Sequence, residues 1–129
     1  MPMCLRVVDS ITELRVGDDA GCIAVSGSHG GLSSARYALA ARPALSIFND
    51  AGVGRDAAGI AELPLLQSHG LAACTVSHTS ARIGEAHSTL DDGVLSHVNA
   101  AAAEVGVQAG QSVHDVVARF SISLQEAHS

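Results

Sequence analysis

Short apolar runs that break off into small polar residues recur along this chain. Each run is rich in Ala, Val, Ile or Leu and has the length of a buried strand. The predicted strands are Leu5–Val8 and residues 22–26, 44–49 and 71–77. Strands that alternate with helices at a spacing of about two dozen residues imply right-handed crossovers and a parallel sheet covered on both faces. The pattern therefore predicts one α/β domain over residues 1–129, a small three-layer Rossmann-like or flavodoxin-like fold with a mostly parallel sheet of about four strands.

Helix signals fill the segments between and after these strands. Ser10 and Glu13 have the spacing of a capping box, which predicts a short helical turn after the first strand. Apolar residues at helical spacing predict the longest helix over residues 90–105, closed by Gly106. The other predicted helices cover residues 33–42, residues 56–69 with a left-handed end at Gly70, and a short stretch after Ser112. Pro64 is expected to kink the second of these helices or to split it in two.

Composition narrows the class of partner. A chain of 129 residues with 47% apolar and 16% charged residues is typical of one globular domain. The formal charge is −6, and the seven basic residues are all Arg, which argues against a nucleic-acid partner. The sequence shows no apolar run of membrane-spanning length, so we expect no membrane partner either. The apolar helix faces, rich in Ala and Val, have more surface than a narrow sheet can bury, so we expect a homo-oligomer. Residues 121–129 have little to bury and are expected to be frayed or docked on a partner subunit.

The cysteines predict a redox environment. The chain has three, without CxxC spacing, and Cys22 and Cys74 fall in predicted strands. Buried, reduced thiols are the ordinary state of such residues, so we expect free cysteines and a cytoplasmic location.

A glycine-rich cluster follows the second predicted strand. Gly27, Ser28, His29, Gly30 and Gly31 stand between that strand and the next helix. Glycines there let the backbone amides turn toward one point near a helix N-terminus, an arrangement that binds anions. Alternatively, the glycines only make a tight strand-to-helix connection. The cluster is neither GxGxxG nor GxxxxGK[ST], so it names no cofactor.

Three polar residues after predicted strands are candidates for proton transfer. His29, Asp50 and His78 each follow a different strand, and parallel strands would bring them to one edge of the sheet, where with Ser28 they would line one pocket. A histidine can act as acid or base near neutral pH, and Asp50 could orient either histidine. Their structural alternatives are a solvated or cap-bonded imidazole and an Asx turn.

Other residues in the same loops are candidates for ligand binding. Arg82 could hold a carboxylate or phosphate through two hydrogen bonds, and its alternative role is a salt bridge to Glu85 or Asp91. HxH, HExxH and CxxC spacings are all missing from the sequence, so we expect no metal site, although a divalent ion near Asp50 stays open. The predicted ligand-binding residues are Gly27, Ser28, Gly30, Gly31, Asn49, Ser80 and Arg82.

These patterns favour a small enzyme that acts on a carboxylated or phosphorylated metabolite through His and Asp acid–base chemistry. Hydrolysis, elimination and isomerisation all fit such residues. One alternative is a metabolite-binding or regulatory subunit that uses the same crevice without chemistry. Another is a structural subunit whose polar loops mediate assembly. The resemblance to doubly wound α/β domains is one of architecture alone and does not supply a function.

Overall fold

One five-stranded sheet organises the molecule. The computed structural model describes residues 4–128, with side chains through residue 120. The strands are β1 (Leu5–Val8), β2 (Ile23–His29), β3 (Leu45–Asn49), β4 (Ala72–Val76) and β5 (Leu95–Val98). β1 to β4 are parallel, and β5 pairs with β4 in the antiparallel direction.

Five α-helices and two 3₁₀ segments connect the strands in the part of the chain described. The first 3₁₀ segment, Ile11–Glu13, begins with the predicted capping box at Ser10, which is confirmed. The second 3₁₀ segment is Arg55–Ile60. The helices are α1 (Leu32–Ala41), α2 (Glu62–Ser68), α3 (Ala86–Asp92), α4 (Ala100–Glu104) and α5 (Val113–His128).

The sheet has an apolar cluster on each face. On one face, Ala35 and Ala38 of α1 and Leu66 of α2 pack with Phe48 and Ala73 of the sheet. On the other face, residues of β2 to β5 pack with α4 and α5, and α3 lies over β1 and β2. Alanines at the contact let α1 lie close to the sheet in a chain that has few aromatic side chains to fill space. The predicted three-layer α/β class with a mostly parallel sheet is confirmed.

The strand order is consecutive, β1-β2-β3-β4-β5. In both doubly wound folds named above the order reverses at a switch point, and ligands bind in the crevice there. This sheet has no such reversal, so its topology alone does not locate a crevice. A ligand site in this fold is therefore located by the loops that connect the strands and helices.

The prediction of one long helix over residues 90–105 is wrong. That stretch contains the end of α3, the whole of β5 and α4. Gly93 ends α3, and a side chain there would overlap the Thr89 carbonyl oxygen and crowd Val76 and Val113. The residues after Gly93 are consistent with a strand, and hydrogen bonding to β4 outweighs their helical spacing. The sheet therefore has five strands where about four are predicted.

The predicted helix over residues 56–69 is divided earlier than expected. Asp56 and Ala57, inside the second 3₁₀ segment, have positive φ angles of 56° and 58°, and this non-helical backbone interrupts the predicted helix before α2 begins at Glu62. Pro64 lies in the first turn of α2, where its missing amide hydrogen costs no helical hydrogen bond. Gly70 has the predicted left-handed conformation, with φ +73°.

The expectation of three reduced cysteines is wrong for two of them. Cys4 and Cys22 form a disulfide, whereas Cys74 is free and buried. The reason is the register of β1 and β2, because Leu5 pairs with Ile23 and the residues before them therefore lie side by side, with Cα atoms 4.7 Å apart. The disulfide removes the argument from the cysteines for a cytoplasmic location, which stays a prediction.

Two further expectations concern the surroundings of the chain. Within residues 4–128, no helix is long and apolar enough to cross a membrane. The prediction for residues 121–129 falls on side chains that lie outside the described part, although α5 is assigned through His128.

Candidate functional site

The segment between β4 and α3 covers the carboxyl ends of the parallel strands. Its Ala81 carbonyl accepts a hydrogen bond at 3.0 Å from the side chain of Asn49, the last residue of β3. The Gly84 amide donates to the Gly27 carbonyl at 2.6 Å, on β2. The Ala86 amide then bonds the Asp9 carboxylate at 2.9 Å, beyond β1. Residues 77–86, which run from the end of β4 to the first residue of α3 and which we call the crossing segment, therefore fill part of the edge at which the sequence predicts an open crevice.

Several predicted ligand-binding residues pack or bond within the protein at this edge. A side chain at Gly27 would come within 2.5 Å of the Glu85 amide of the crossing segment. Asn49 is fully buried and also accepts from the Ala51 amide. The Ser28 hydroxyl accepts from the Ile11 amide at 2.9 Å. These contacts give all three residues a structural role, and their role in ligand binding stays a prediction.

Ser80 and Arg82 lie on the crossing segment itself. The Ser80 hydroxyl donates to the Ser77 carbonyl and accepts from the Val94 amide, each at 2.9 Å. The Arg82 side chain is 82% exposed, with Nη1 3.9 Å from a Glu85 carboxylate oxygen. This is one of the two ion pairs weighed against the ligand role, and Arg82 is not part of the cleft described next.

A cleft of about 540 Å³ opens on the side of the sheet that carries α1 and α2. Its volume is in the range of small-molecule sites. One wall is the β2–α1 connection, and the other is the segment from Ala51 to the start of α2. The lining residues are His29, Gly31, Leu32, Ser33, Ala51, Val53, Gly54, Asp56, Ala58, Gly59 and Ala61.

The second wall of the cleft has an unusual backbone. Ala51, Val53, Asp56 and Ala57 all have positive φ angles without being glycine. For Val53, whose φ is 69°, the conformation is costly because the side chain is β-branched. Backbone strain of this kind concentrates at ligand sites, where the surrounding structure maintains it. None of these residues was predicted to belong to a site. The sequence feature that could have indicated the unusual backbone is the position of Val53 between two glycines.

The first wall of the cleft combines His29 with the N-terminus of α1. The Gly31 amide donates to His29 Nδ1 at 3.2 Å, so the neutral ring carries its proton on Nε2. The Gly30 amide is used as well, because it donates to the Asn49 carbonyl. Leu32 and Ser33 line the cleft in the first turn of α1, where amides have no acceptor within a helix. The backbone amides of the glycine-rich cluster, which the sequence predicts to bind an anion, are thus partly used within the protein. The amides of Leu32 and Ser33 are better placed to bind an anion in the cleft.

Asp50 and His78 form the closest pair of predicted proton-transfer residues. Asp50 Oδ1 lies 3.5 Å from His78 Nδ1, and it accepts hydrogen bonds from the Gly52 amide at 2.8 Å and the His78 amide at 3.0 Å. Its side chain is 6% exposed, against 56% for His78. Burial alone would raise the pKa of Asp50, but hydrogen bonds from Gly52, Ser96 and His78 outweigh it and lower the pKa. Asp50 is therefore an ionised carboxylate that orients the imidazole.

One tight turn lies between this pair and the cleft. Gly52 lies against the His78 ring, since a side chain there would meet Cε1 of His78 at 3.5 Å. Its neighbours Ala51 and Val53 line the cleft. Of the four residues expected in one pocket, the lining contains His29, while Asp50 and His78 lie together at the other side of the turn and Ser28 is bonded elsewhere.

Glu62 is a buried acid that the sequence analysis missed. It begins α2, is fully buried, and has no hydrogen-bond partner for either carboxylate oxygen among the residues described. A side chain at Gly30 would overlap both of these oxygens and the Gly59 carbonyl oxygen. Burial raises the pKa of Glu62 to about 8. Gly30 is therefore required by packing against an uncharged acid behind the cleft.

A second cavity of about 340 Å³ lies on the α5 side of the sheet. Its walls are mainly Val107, Val116 and Phe120, with Gln111 and Arg119 as polar members. Gln111 already bonds the backbone of the same loop. The lining of this cavity is mostly apolar. It contains none of the predicted catalytic residues.

Comparisons with models of protein families, with curated proteins and with solved structures found no match to this chain. Within the described residues, no three His, Cys, Asp or Glu side chains converge as a metal site. The function is therefore argued from the site itself.

Proposed function

We propose that this protein is a small enzyme that acts on a carboxylated or phosphorylated metabolite by acid–base chemistry. The observation that carries the proposal is the contact between the buried Asp50 carboxylate and the exposed His78 imidazole. Asp50 holds Nδ1 of His78 and leaves Nε2 free to take or give a proton. An imidazolium formed during reaction would be stabilised by the adjacent carboxylate. Hydrolysis, elimination and isomerisation can all use such a group.

The proposed place for the anionic group of the ligand is the start of α1. The protein has a net charge of −6, so an anion needs a local source of positive potential. The amides of Leu32 and Ser33 provide the positive end of the helix dipole, and the Nε2 proton of His29 adds a donor. Asp56 lies on the opposite wall, which favours a ligand whose anionic group faces α1 and whose remaining part is neutral or positively charged.

A second candidate function is a metabolite-binding subunit without catalysis. It is favoured by the position of Asp50 and His78 outside the cleft lining and by the hydrogen bond from the Gly52 amide, which is an Asx turn. Such a subunit would use the cleft alone. Exposed Leu32 and Tyr37 on α1 support the further proposal that the chain forms a homo-oligomer.

The test is a turnover assay that needs no prior choice of substrate. Purified protein is incubated with a mixture of carboxylated and phosphorylated metabolites, and mass spectrometry follows which of them disappear. We expect His78→Gln to reduce turnover by ~10²–10⁴-fold while thermal-shift assays show retained ligand binding. His114→Gln, an exposed histidine on α5, is the matched control and should behave as the parent protein.

Variants of the first wall test the anion site separately. His29→Gln should weaken binding of the active metabolite, and adding that metabolite should shift the amide resonances of Leu32 and Ser33. A parent protein that binds a metabolite and turns over none would support the second candidate. Equal turnover in the parent and His78→Gln would refute the role of the Asp50–His78 pair.

A further inference from the structure

Glu62 lies where the two walls of the cleft meet. It follows Gly59 and Ala61, which line the second wall, and its amide donates to the Gly30 carbonyl of the first wall at 3.1 Å. A side chain at Gly30 would point at both Glu62 carboxyl oxygens and at the Gly59 carbonyl oxygen. The carboxyl group is therefore packed against the backbone of both walls, at the back of the cleft.

The Glu62 carboxyl group also lies beside the start of α1. Gly31, which follows Gly30, is the N-cap of α1, and no side chain of the described residues caps this helix end. The first amides of α1 therefore carry the positive end of a helix dipole that no capping side chain neutralises. The proposed anion site at Leu32 and Ser33 uses the same positive potential. A ligand anion and an ionised Glu62 would thus compete for it.

No group in the described part of the chain compensates a negative charge on Glu62. Its side chain is fully buried, and neither carboxyl oxygen has a hydrogen-bond partner there. A buried carboxylate without a partner is costly, so the uncharged acid fits this position better. Burial raises the pKa of Glu62 to about 8, which makes both charge states accessible to experiment. An unpartnered buried acid beside a cleft is a candidate for a role in the site.

We infer that Glu62 controls whether the cleft accepts an anion, because the uncharged acid leaves the positive end of α1 to the ligand and the ionised carboxylate repels that ligand. The inference deepens the proposed function and rests on its anion site. Like unit charges about 10 Å apart, at an effective dielectric constant of about 20, change an equilibrium constant by about tenfold. By linkage, a bound anion raises the pKa of Glu62 by the same factor. Glu62 is therefore a specificity-determining residue that acts through its charge.

Other charged and titratable residues belong to the elements around α2. They are Arg36 and Tyr37 of α1, Cys74 of β4, His29 at the end of β2, and Asp50, Arg55 and Asp56 of the segment after β3. Burial and the nearby Glu62 raise the pKa of Cys74, so it stays an uncharged thiol. All of these residues remain in Glu62→Gln. Comparing this variant with the parent protein therefore removes their titration from the result.

The experiment is a sulfate titration of the full chain followed by NMR spectroscopy. Sulfate keeps the same charge over the range used, and the methyl signals of Leu32 and Val53, which line the cleft, report its binding without exchanging with water. Affinity is measured at about pH 7 and about pH 9.5, on either side of the Glu62 midpoint. We expect the affinity of the parent protein to fall by about tenfold or more beyond any change in Glu62→Gln. Glu104→Gln, an exposed acid on α4, should behave as the parent protein.

A reciprocal measurement needs no change at Glu62. The carbon-13 shift of its carboxyl group gives its titration midpoint in the parent protein. Saturating sulfate should raise this midpoint by about one pH unit or more, compared with a sample of equal ionic strength without sulfate. This measurement decides the question if Glu62→Gln does not fold.

The outcomes separate this inference from the proposed function. Sulfate that binds with the same pH dependence in the parent protein and Glu62→Gln would overturn the inference and leave the anion site in place, and so would an unchanged Glu62 midpoint. Methyl signals that do not respond to sulfate at either pH would overturn the anion site and the inference with it. Neither readout involves turnover, so the role of His78 is tested independently.

Discussion

Glu62 should make the stability of the protein fall as the pH rises toward the alkaline range. The acid is fully buried, and burial raises its pKa from 4.5 to about 8. Between these two values the folded protein retains a proton that the unfolded chain has released. Since the folded state binds more protons there, the free energy of unfolding decreases with increasing pH. The stability is complete below pH 4.5 and is lost progressively up to about pH 8.

The size of the effect follows from the change in pKa. Each pKa unit corresponds to about 1.4 kcal/mol, so the difference between 4.5 and about 8 corresponds to about 5 kcal/mol. This is a large part of the stability of a small domain, which is about 5–15 kcal/mol. Glu62→Gln has nearly the same shape and does not ionise.

The assay is urea unfolding of the parent protein and Glu62→Gln at a series of pH values from about 5 to about 9. We expect the variant to gain on the parent protein by about 4 kcal/mol across this range, because part of the full difference is already lost at the acidic end. Taking the difference between the two proteins cancels the titration of the histidines. Glu104→Gln, an exposed acid on α4, is the control and should track the parent protein. A difference between the parent and Glu62→Gln that does not vary with pH would refute a buried, protonated Glu62.

Two further predictions concern packing and the crosslink. Gly30→Ala should lower the free energy of unfolding by about 1–3 kcal/mol, because its methyl group would overlap the Glu62 carboxyl, and urea unfolding should show a smaller loss when Glu62→Ala is present in the same chain. Equal losses in both backgrounds would contradict that contact. Reduction of the Cys4–Cys22 disulfide, whose cysteines are 18 residues apart, should cost about 3 kcal/mol. The same reductant should leave Cys4→Ser unchanged, and an unchanged parent protein would show that the crosslink does not stabilise the fold.

Local patterns predicted most of the sheet. The first four strands follow from apolar runs ended by polar residues. For β2, β3 and β4 the reason is that a parallel strand buried on both faces consists mostly of apolar residues. β5 was not predicted, because Leu90, Val94 and Val98 also have the spacing of apolar residues on one face of a helix. What makes the stretch a strand is its pairing with β4, to which it is joined by a connection of many residues. Periodicity does not report such distant pairing.

The sequence predicts that Asp50 and His78 lie together, but it does not predict the packing of the residues around them. Asp50 and His78 follow neighbouring strands, and their contact is a direct consequence of parallel pairing between β3 and β4. The burial of Asn49 and the engagement of Ser80 arise from the crossing segment, whose hydrogen-bond partners lie far away in the chain. The burial of Glu62 could not be predicted for a similar reason, because it depends on packing against Gly30, which lies in another loop.

The consecutive strand order has a consequence for how this chain folds. Paired residues of adjacent strands are only 18 to 27 positions apart in the sequence, so each pairing closes a short loop at a modest entropic cost. The bond between Ala86 and Asp9 spans 77 residues and joins the crossing segment to the first strand of the sheet. We therefore expect the sheet to grow strand by strand, and the contacts of the crossing segment with β1 to form late, at the same edge where the Asp50–His78 pair is assembled.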